Sequence, residues 1–254
     1  MAVELHHRID GTGPRILLIH AVGMDLTLLD ALTAILAKDF TVLRADMRGH
    51  GNAPYVPAAS LEDYADDVHA LLTMRSFAPC AVAGFAFGGM IAQALVVKYP
   101  QDVRALVLAN INHEQTKESK AALMSRAADA QRDGMAALVD TTMQRWFTDP
   151  FIATGGDAAV RHRLATDDVR GWSDGFTAMA NVDTASGLKG IKVPTLCLAG
   201  EVDKSTPPPV VKAMADAIPG ARFAVMPGAP HMPFVEMPEK TARVVGEFLK
   251  EALK

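Results

Sequence analysis

Short, almost wholly apolar runs recur along the chain at the spacing of strands separated by helices, and this alternation constrains the fold more than any other feature. "RILLIHA" (15–21), "TVLRAD" (41–46), "CAVAGF" (80–85), "ALVLAN" (105–110), "TLCLAG" (195–200) and "RFAVMPG" (222–228) form the series, with "VELHHRI" (3–9) as a candidate edge strand. A strand without polar alternation has to be covered on both faces, as in a parallel sheet flanked by helices. Helical periodicity fills 25–38, 60–74, 87–99, 208–217 and 238–252; the second of these opens on "SLED", where Ser60 and Asp63 form a capping-box-like start. The expectation is an α/β fold with a mostly parallel, doubly wound sheet of about seven strands.

The rhythm stops between residues 113 and 188, where "KAALMSRAADAQRDGMAALVDTTMQRWF" and "AAVRHRLATDDVRGWSDGFTAMANV" read as helices. Gly134, Gly155, Gly156 and Gly171 are the expected breaks. The chain thus divides into a core, 1–112 with 189–254, and a helical insertion, 113–188.

Half of the 254 residues are hydrophobic, the formal net charge is −4, and no Lys/Arg run stands out, so nucleic acid is not an expected partner. No apolar run reaches the ~18–20 residues of a membrane helix. "MAVELHHRIDG" does not read as a signal peptide, and Cys80 and Cys197 sit in strand-like runs as buried thiols rather than a disulfide or metal site, so the cytoplasm is the expected location.

Ligands of doubly wound sheets bind beyond the C-terminal ends of the strands. There "GFAFGG" (84–89) has the form G-x-nucleophile-x-G, with Ala86 where the nucleophile belongs. Such a turn holds its central residue at positive φ, which disfavours alanine by ~1 kcal/mol or more. Alanine is what remains when a serine loses its Oγ. The N–H of Phe87, opening the next helix, is a candidate oxyanion donor. Two loops after later strands carry an acid and then a histidine: Asp203 in "LAGEVDKSTPP" and His231 in "MPGAPHMPFVEMPE". The order fits a relay in which His231 takes the nucleophile's proton and Asp203 fixes its tautomer. Taken singly, Asp203 could cap a turn and His231 could be an ordinary loop residue. In "HAVGMD" (20–25) the N–H of Val22 is the candidate second donor, with Ala21 as the fallback; His20, at a strand end, reads as structural.

Together these features resemble the α/β-hydrolase superfamily across nearly the whole chain, and "ADMRGHGNAP" (45–54) is similar to its D-x-R-G-H-G-x-S loop. Within it the chain looks most like 3-oxoadipate enol-lactonases and related small esterases, a likeness carried largely by "GMAALVDTTMQRWFTDPF" (134–151). The resemblance implies that the insertion is a lid, or cap, placed after the sixth strand of the usual fold. "HAVG", "NINHEQ" (110–115) and Ala86 depart from the pattern.

What the resemblance implies is a serine-type hydrolase of a small or medium ester or lactone, needing no metal or cofactor. With Ala86 in place of serine, a change of the kind made deliberately to trap a substrate, this chain is expected to be inactive or nearly so. Two alternatives stand beside it: a non-catalytic relative that binds a small ligand under the lid, and a serine-independent enzyme using His231 as general base. Trp146, Ala21 and Met143 are the candidate substrate contacts, among lid residues that also include Phe147, Phe151, Trp172, Phe176, Met124 and Met179. An anionic substrate would want one of Arg126, Arg132, Arg145, Arg161, Arg163 or Arg170. Monomer and homodimer are both open.

Overall fold

Seven strands form one sheet in the order β1-β3-β2-β4-β5-β6-β7, seen in a computed structural model that describes residues 2–58 and 60–254. The strands are β1 (His7–Asp10), β2 (Arg15–Ile19), β3 (Thr41–Ala45), β4 (Cys80–Phe85), β5 (Val103–Ala109), β6 (Thr195–Gly200) and β7 (Arg222–Met226). β1 pairs antiparallel with β3, and every other pairing is parallel. β4 and β6 are buried at every position, as unbroken apolar runs require. Burial raises the thiols of Cys80 and Cys197, inside these strands, to about 12.

The helices follow the expected alternation: α1 (Asp30–Leu36), α2 (Leu61–Met74) and α3 (Phe87–Lys98) lie between the first five strands. The Ser60–Asp63 capping box opens α2. Between β5 and β6 the chain forms α4 (Lys117–Asp133), α5 (Met135–Trp146), α6 (Asp149–Ala153), α7 (Ala158–Ala165), α8 (Val169–Ala180) and α9 (Ala185–Leu188). α10 (Pro208–Ala217), α11 (Pro233–Glu236) and α12 (Pro238–Ala252) complete the chain. Among the described residues no helix is long and apolar enough to cross a membrane.

Several boundaries differ from expectation. The first strand starts at His7, because Val3 and Leu5 are buried by packing and the Val3 amide donates to Asp67 Oδ1 at 2.6 Å instead of to a strand. Residues 25–38 begin as a 3-10 turn, Leu26–Leu29, capped by the Asp25 carboxylate. Gly171 does not break a helix but lies inside α8. A Cβ there would stand 2.1 Å from the Gly49 carbonyl oxygen, so the glycine serves close approach of α8 to the loop after β3.

The helical insertion is tied to the core at several points. Tyr55 Oη and the Ala58 amide both donate to Asp174 Oδ2, each at 3.1 Å. The Met232 amide donates to the Trp146 carbonyl at 3.2 Å, and Thr148 Oγ1 to Glu236 Oε1 at 2.5 Å. These bonds tie α8 to the loop after β3, and the end of α5 with the residue that precedes α6 to the segment after β7.

Candidate active site

Ala86 stands between β4 and α3 at φ 48°, ψ −120°, well outside the ordinary regions for an L-residue. The surrounding packing holds it there. A Cβ on Gly84 would lie 2.3 Å from the Gly88 carbonyl oxygen, and one on Gly88 would lie 2.3 Å from that of Ile19. The Ala86 amide donates to Ala109 O on β5 at 2.9 Å, and its carbonyl accepts from the Gly89 and Met90 amides. The turn thus keeps a strained residue at the strand end although the residue has no functional atom.

His231 and Asp203 meet as a buried pair: His231 Nδ1 lies 2.8 Å from Asp203 Oδ2. With the imidazole donating from Nδ1, its Nε2 is left as an acceptor. Asp203 is fixed on both oxygens. Oδ1 accepts from the amides of Ser205 (2.7 Å) and Thr206 (2.9 Å), and Oδ2 also accepts from Asn110 Nδ2 at 2.9 Å. Asp203 thus caps a turn with one oxygen and meets His231 with the other.

Sequence reasoning gave Asn110 no role. It sits one residue past β5 at φ 59°, a conformation that asparagine tolerates better than most residues. Its Nδ2 bonds Asp203 and the Pro230 carbonyl (3.0 Å) together, beside His231. An asparagine closing an apolar strand was the available signal.

The loop after β2 makes a turn closed by Met24 N–H to Ala21 O at 3.2 Å, with Gly23 at φ 69°. Val22 is the second residue of that turn, and its amide has no acceptor among the described residues. The Phe87 amide lies in the first turn of α3, where a helix has no internal acceptor to offer. His20 is engaged on both nitrogens. Nδ1 bonds Ala21 O at 2.8 Å and Nε2 accepts from the Met47 amide at 3.0 Å. Burial, with His50 beside it, brings His20 down to about 4, so it is a neutral structural group at neutral pH.

Val22, Ala86, Phe87, Trp146 and His231 line one cavity of about 600 Å³, together with Phe176, Met179, Met232 and a polar edge from Asn112 to Thr116. Ala21 and Met143, expected at the substrate, do not line it. Ala21 is fully buried in the turn, and Met143 is fully buried on the inner face of α5 with Val139 and Thr142. Trp172 is also fully buried, packed with Phe176 and against Gly23. Of the six arginines considered, Arg132, Arg161, Arg163 and Arg170 are bound to carboxylates, whereas Arg126 and Arg145 line the cavity.

Residues 16–244 match the model of the alpha/beta hydrolase family. The chain belongs to that family. Among α/β hydrolases it is 27% identical over 239 residues to 3-oxoadipate enol-lactonase 1 of Acinetobacter baylyi, covering 93% of this chain and 89% of that protein. The enol-lactonase of Burkholderia xenovorans LB400 superposes with a TM-score of 0.92 at 30% identity, covering 97% of this chain and 96% of the other. A thermophilic esterase from Thermogutta terrifontis, solved with malate bound, superposes at 0.91 with 27% identity, covering 98% and 94%. These three relatives are two enol-lactonases and an esterase.

Proposed function

We propose that this is the site of a serine-type ester or lactone hydrolase stopped at its first chemical step by alanine at position 86. The observation that carries the reading is the buried His231–Asp203 pair at 2.8 Å, whose histidine lines the same cavity as the strained Ala86. A binding protein has no need of a histidine oriented by an aspartate.

With serine at 86, the hydroxyl oxygen would attack the carbonyl carbon while His231 Nε2 takes its proton. Asp203 would hold the imidazole and stabilise its charged form. The oxyanion would rest on the amides of Val22 and Phe87. His231 would return the proton to the leaving alcohol, then activate water to cleave the acyl-enzyme. No metal or organic cofactor enters these steps. In the chain as it stands the ester reaches the cavity and stays intact. Residues 113–188 act as the lid, with Trp146 and Phe176 giving apolar contact.

The test compares this chain and Ala86→Ser, each with and without His231→Asn, on aryl esters and lactones. The expected result is turnover by Ala86→Ser alone, on the order of 10⁶ above the other forms. Turnover by the alanine chain that stops with His231→Asn would replace the reading with direct general-base catalysis. Binding without turnover by any form would leave a ligand-binding protein.

A further inference from the structure

The turn that carries Val22 is held from two sides. On the core side the Ala21 carbonyl accepts from the Met24 amide at 3.2 Å and from His20 Nδ1 at 2.8 Å. On the other side stand α7 and α8 of the insertion. A Cβ on Gly23 would lie 2.7 Å from Trp172 Cζ3 and 2.8 Å from Leu164 Cδ1, so both side chains rest on the bare face of that glycine. Val22 itself meets α8, where a Cβ on Gly175 would stand 3.0 Å from Val22 Cγ2.

An ion pair fastens the same place. Arg163 Nε of α7 lies 2.9 Å from Oδ2 of Asp25, the residue that follows the turn. The other Asp25 oxygen accepts from the Thr27 amide at 2.9 Å, so this carboxylate joins α7 to the backbone leaving the turn. Arg163 is half-buried, and its Nη2 donates to Oδ1 of the buried Asp167 at 2.5 Å. Leu164 and Trp172 are fully buried, and neither they nor Arg163 line the cavity. A turn with glycine at left-handed φ can refold at little conformational cost, so the groups packed on it decide its shape. An oxyanion donor has to stand at roughly 2.7–3.1 Å from the oxygen it serves, and a misplacement of about 1 Å costs on the order of 10²-fold in rate.

Resting on the ester-hydrolase reading, with the Val22 amide as an oxyanion donor, we propose that Arg163, Leu164 and Trp172 are positioning residues for the reaction: packed on Gly23 and paired to Asp25, they hold the turn that aims the Val22 N–H. The insertion then sets the rate as well as covering the site. Its part is played through the backbone of the turn, from residues that do not meet the substrate.

The test separates binding of the intact ester from stabilisation of the oxyanion. Binding of neutral dimethyl glutarate to the alanine chain is measured by calorimetry. In the Ala86→Ser background, kcat is measured on a neutral aryl ester, together with the affinity for phenylboronic acid. Its boron takes the serine oxygen as a fourth ligand, giving a negative tetrahedral adduct, while the hydroxyl proton passes to His231. Arg163→Met and Leu164→Ala should each lower kcat by roughly tenfold to 10²-fold and lower the boronate affinity by the same factor. Neither should change the binding of dimethyl glutarate. Arg163→Lys and Leu164→Met should recover most of the loss. Arg161→Met, on the same helix, removes the pairs with Asp140 and Asp157 and should lower the thermal midpoint while leaving kcat and boronate affinity in place. Should Leu164→Ala unfold, Arg163→Met, at a half-buried position, carries the test. An unchanged kcat in Arg163→Met, a kcat that falls while the boronate still binds, or an equal loss in Arg161→Met would overturn the proposal. If Ala86→Ser turns over and these results fail, the positioning role falls alone. If Ala86→Ser turns over nothing, the hydrolase reading falls and takes this one with it.

Discussion

The cavity has two walls built on different principles. On the core side, Val22 and His231 project from loops at strand ends and Phe87 from the first turn of α3, and their positions are set by backbone turns and by bonds such as His231–Asp203 and Asn110–Asp203. On the insertion side, Trp146, Phe176, Met179, Arg126 and Arg145 project from helices, and among the described residues no carboxylate lies within ion-pair distance of the two arginines. The core wall is rigid and polar where a reaction would need it. The insertion wall is made of side chains that can change without disturbing the sheet. Changes to the core wall should therefore alter turnover, and changes to the insertion wall should alter which ligand is held.

The largest effect tests the rigidity of the core wall. In the Ala86→Ser background, Asp203→Asn should lower kcat by roughly 10⁴, by leaving the histidine in the wrong tautomer. Binding of dimethyl glutarate to the alanine chain should not change with the same substitution. A parallel loss of binding would show that the two walls are not separable.

Next is the seam between the walls. Gly171→Ala places a methyl group 2.1 Å from Gly49 O, a backbone atom that cannot swing away. Thermal unfolding should show a loss of roughly 3 kcal/mol. A near-neutral result would mean that α8 is free to lift from the loop after β3.

A smaller effect follows from His20. Its folded pKa is depressed from 6.5 to about 4, so between these values the unfolded chain carries a proton at His20 that the folded chain refuses. Its contribution is fully present above pH 6.5 and is lost as pH falls toward 4. His20→Gln should flatten that part of the stability profile, measured by denaturant melts across the window. Smallest is Tyr55→Phe, which removes the 3.1 Å bond to Asp174 and should cost about 1 kcal/mol in the same melts.

Much of the core wall is legible in the chain itself. Apolar runs of strand length can satisfy their backbone only in a covered sheet, and glycines flanking Ala86 mark a turn too tight for side chains. Order along the chain, 86 then 203 then 231, places three residues after β4, β6 and β7, on one edge of the sheet once it is parallel. Asn110 was less legible. An asparagine at a strand end announces a turn, but its bond to Asp203 spans 93 residues and exists only when β5 and β6 lie side by side.

The insertion shows the opposite balance. Its residues announced helices, but Met143 and Trp146 sit on one apolar face, and periodicity cannot say which of them meets the cavity and which meets another helix. The six arginines are alike in sequence. Tertiary packing divided them, giving four to carboxylates and leaving two at the cavity, because an ion pair is a distance in space and the chain records only distance along itself. The sequence determined the sheet, the elbow and the order of the site residues through local rules of burial and backbone sterics. The tertiary structure alone decided which charges remain unpaired, since that depends on every neighbour at once.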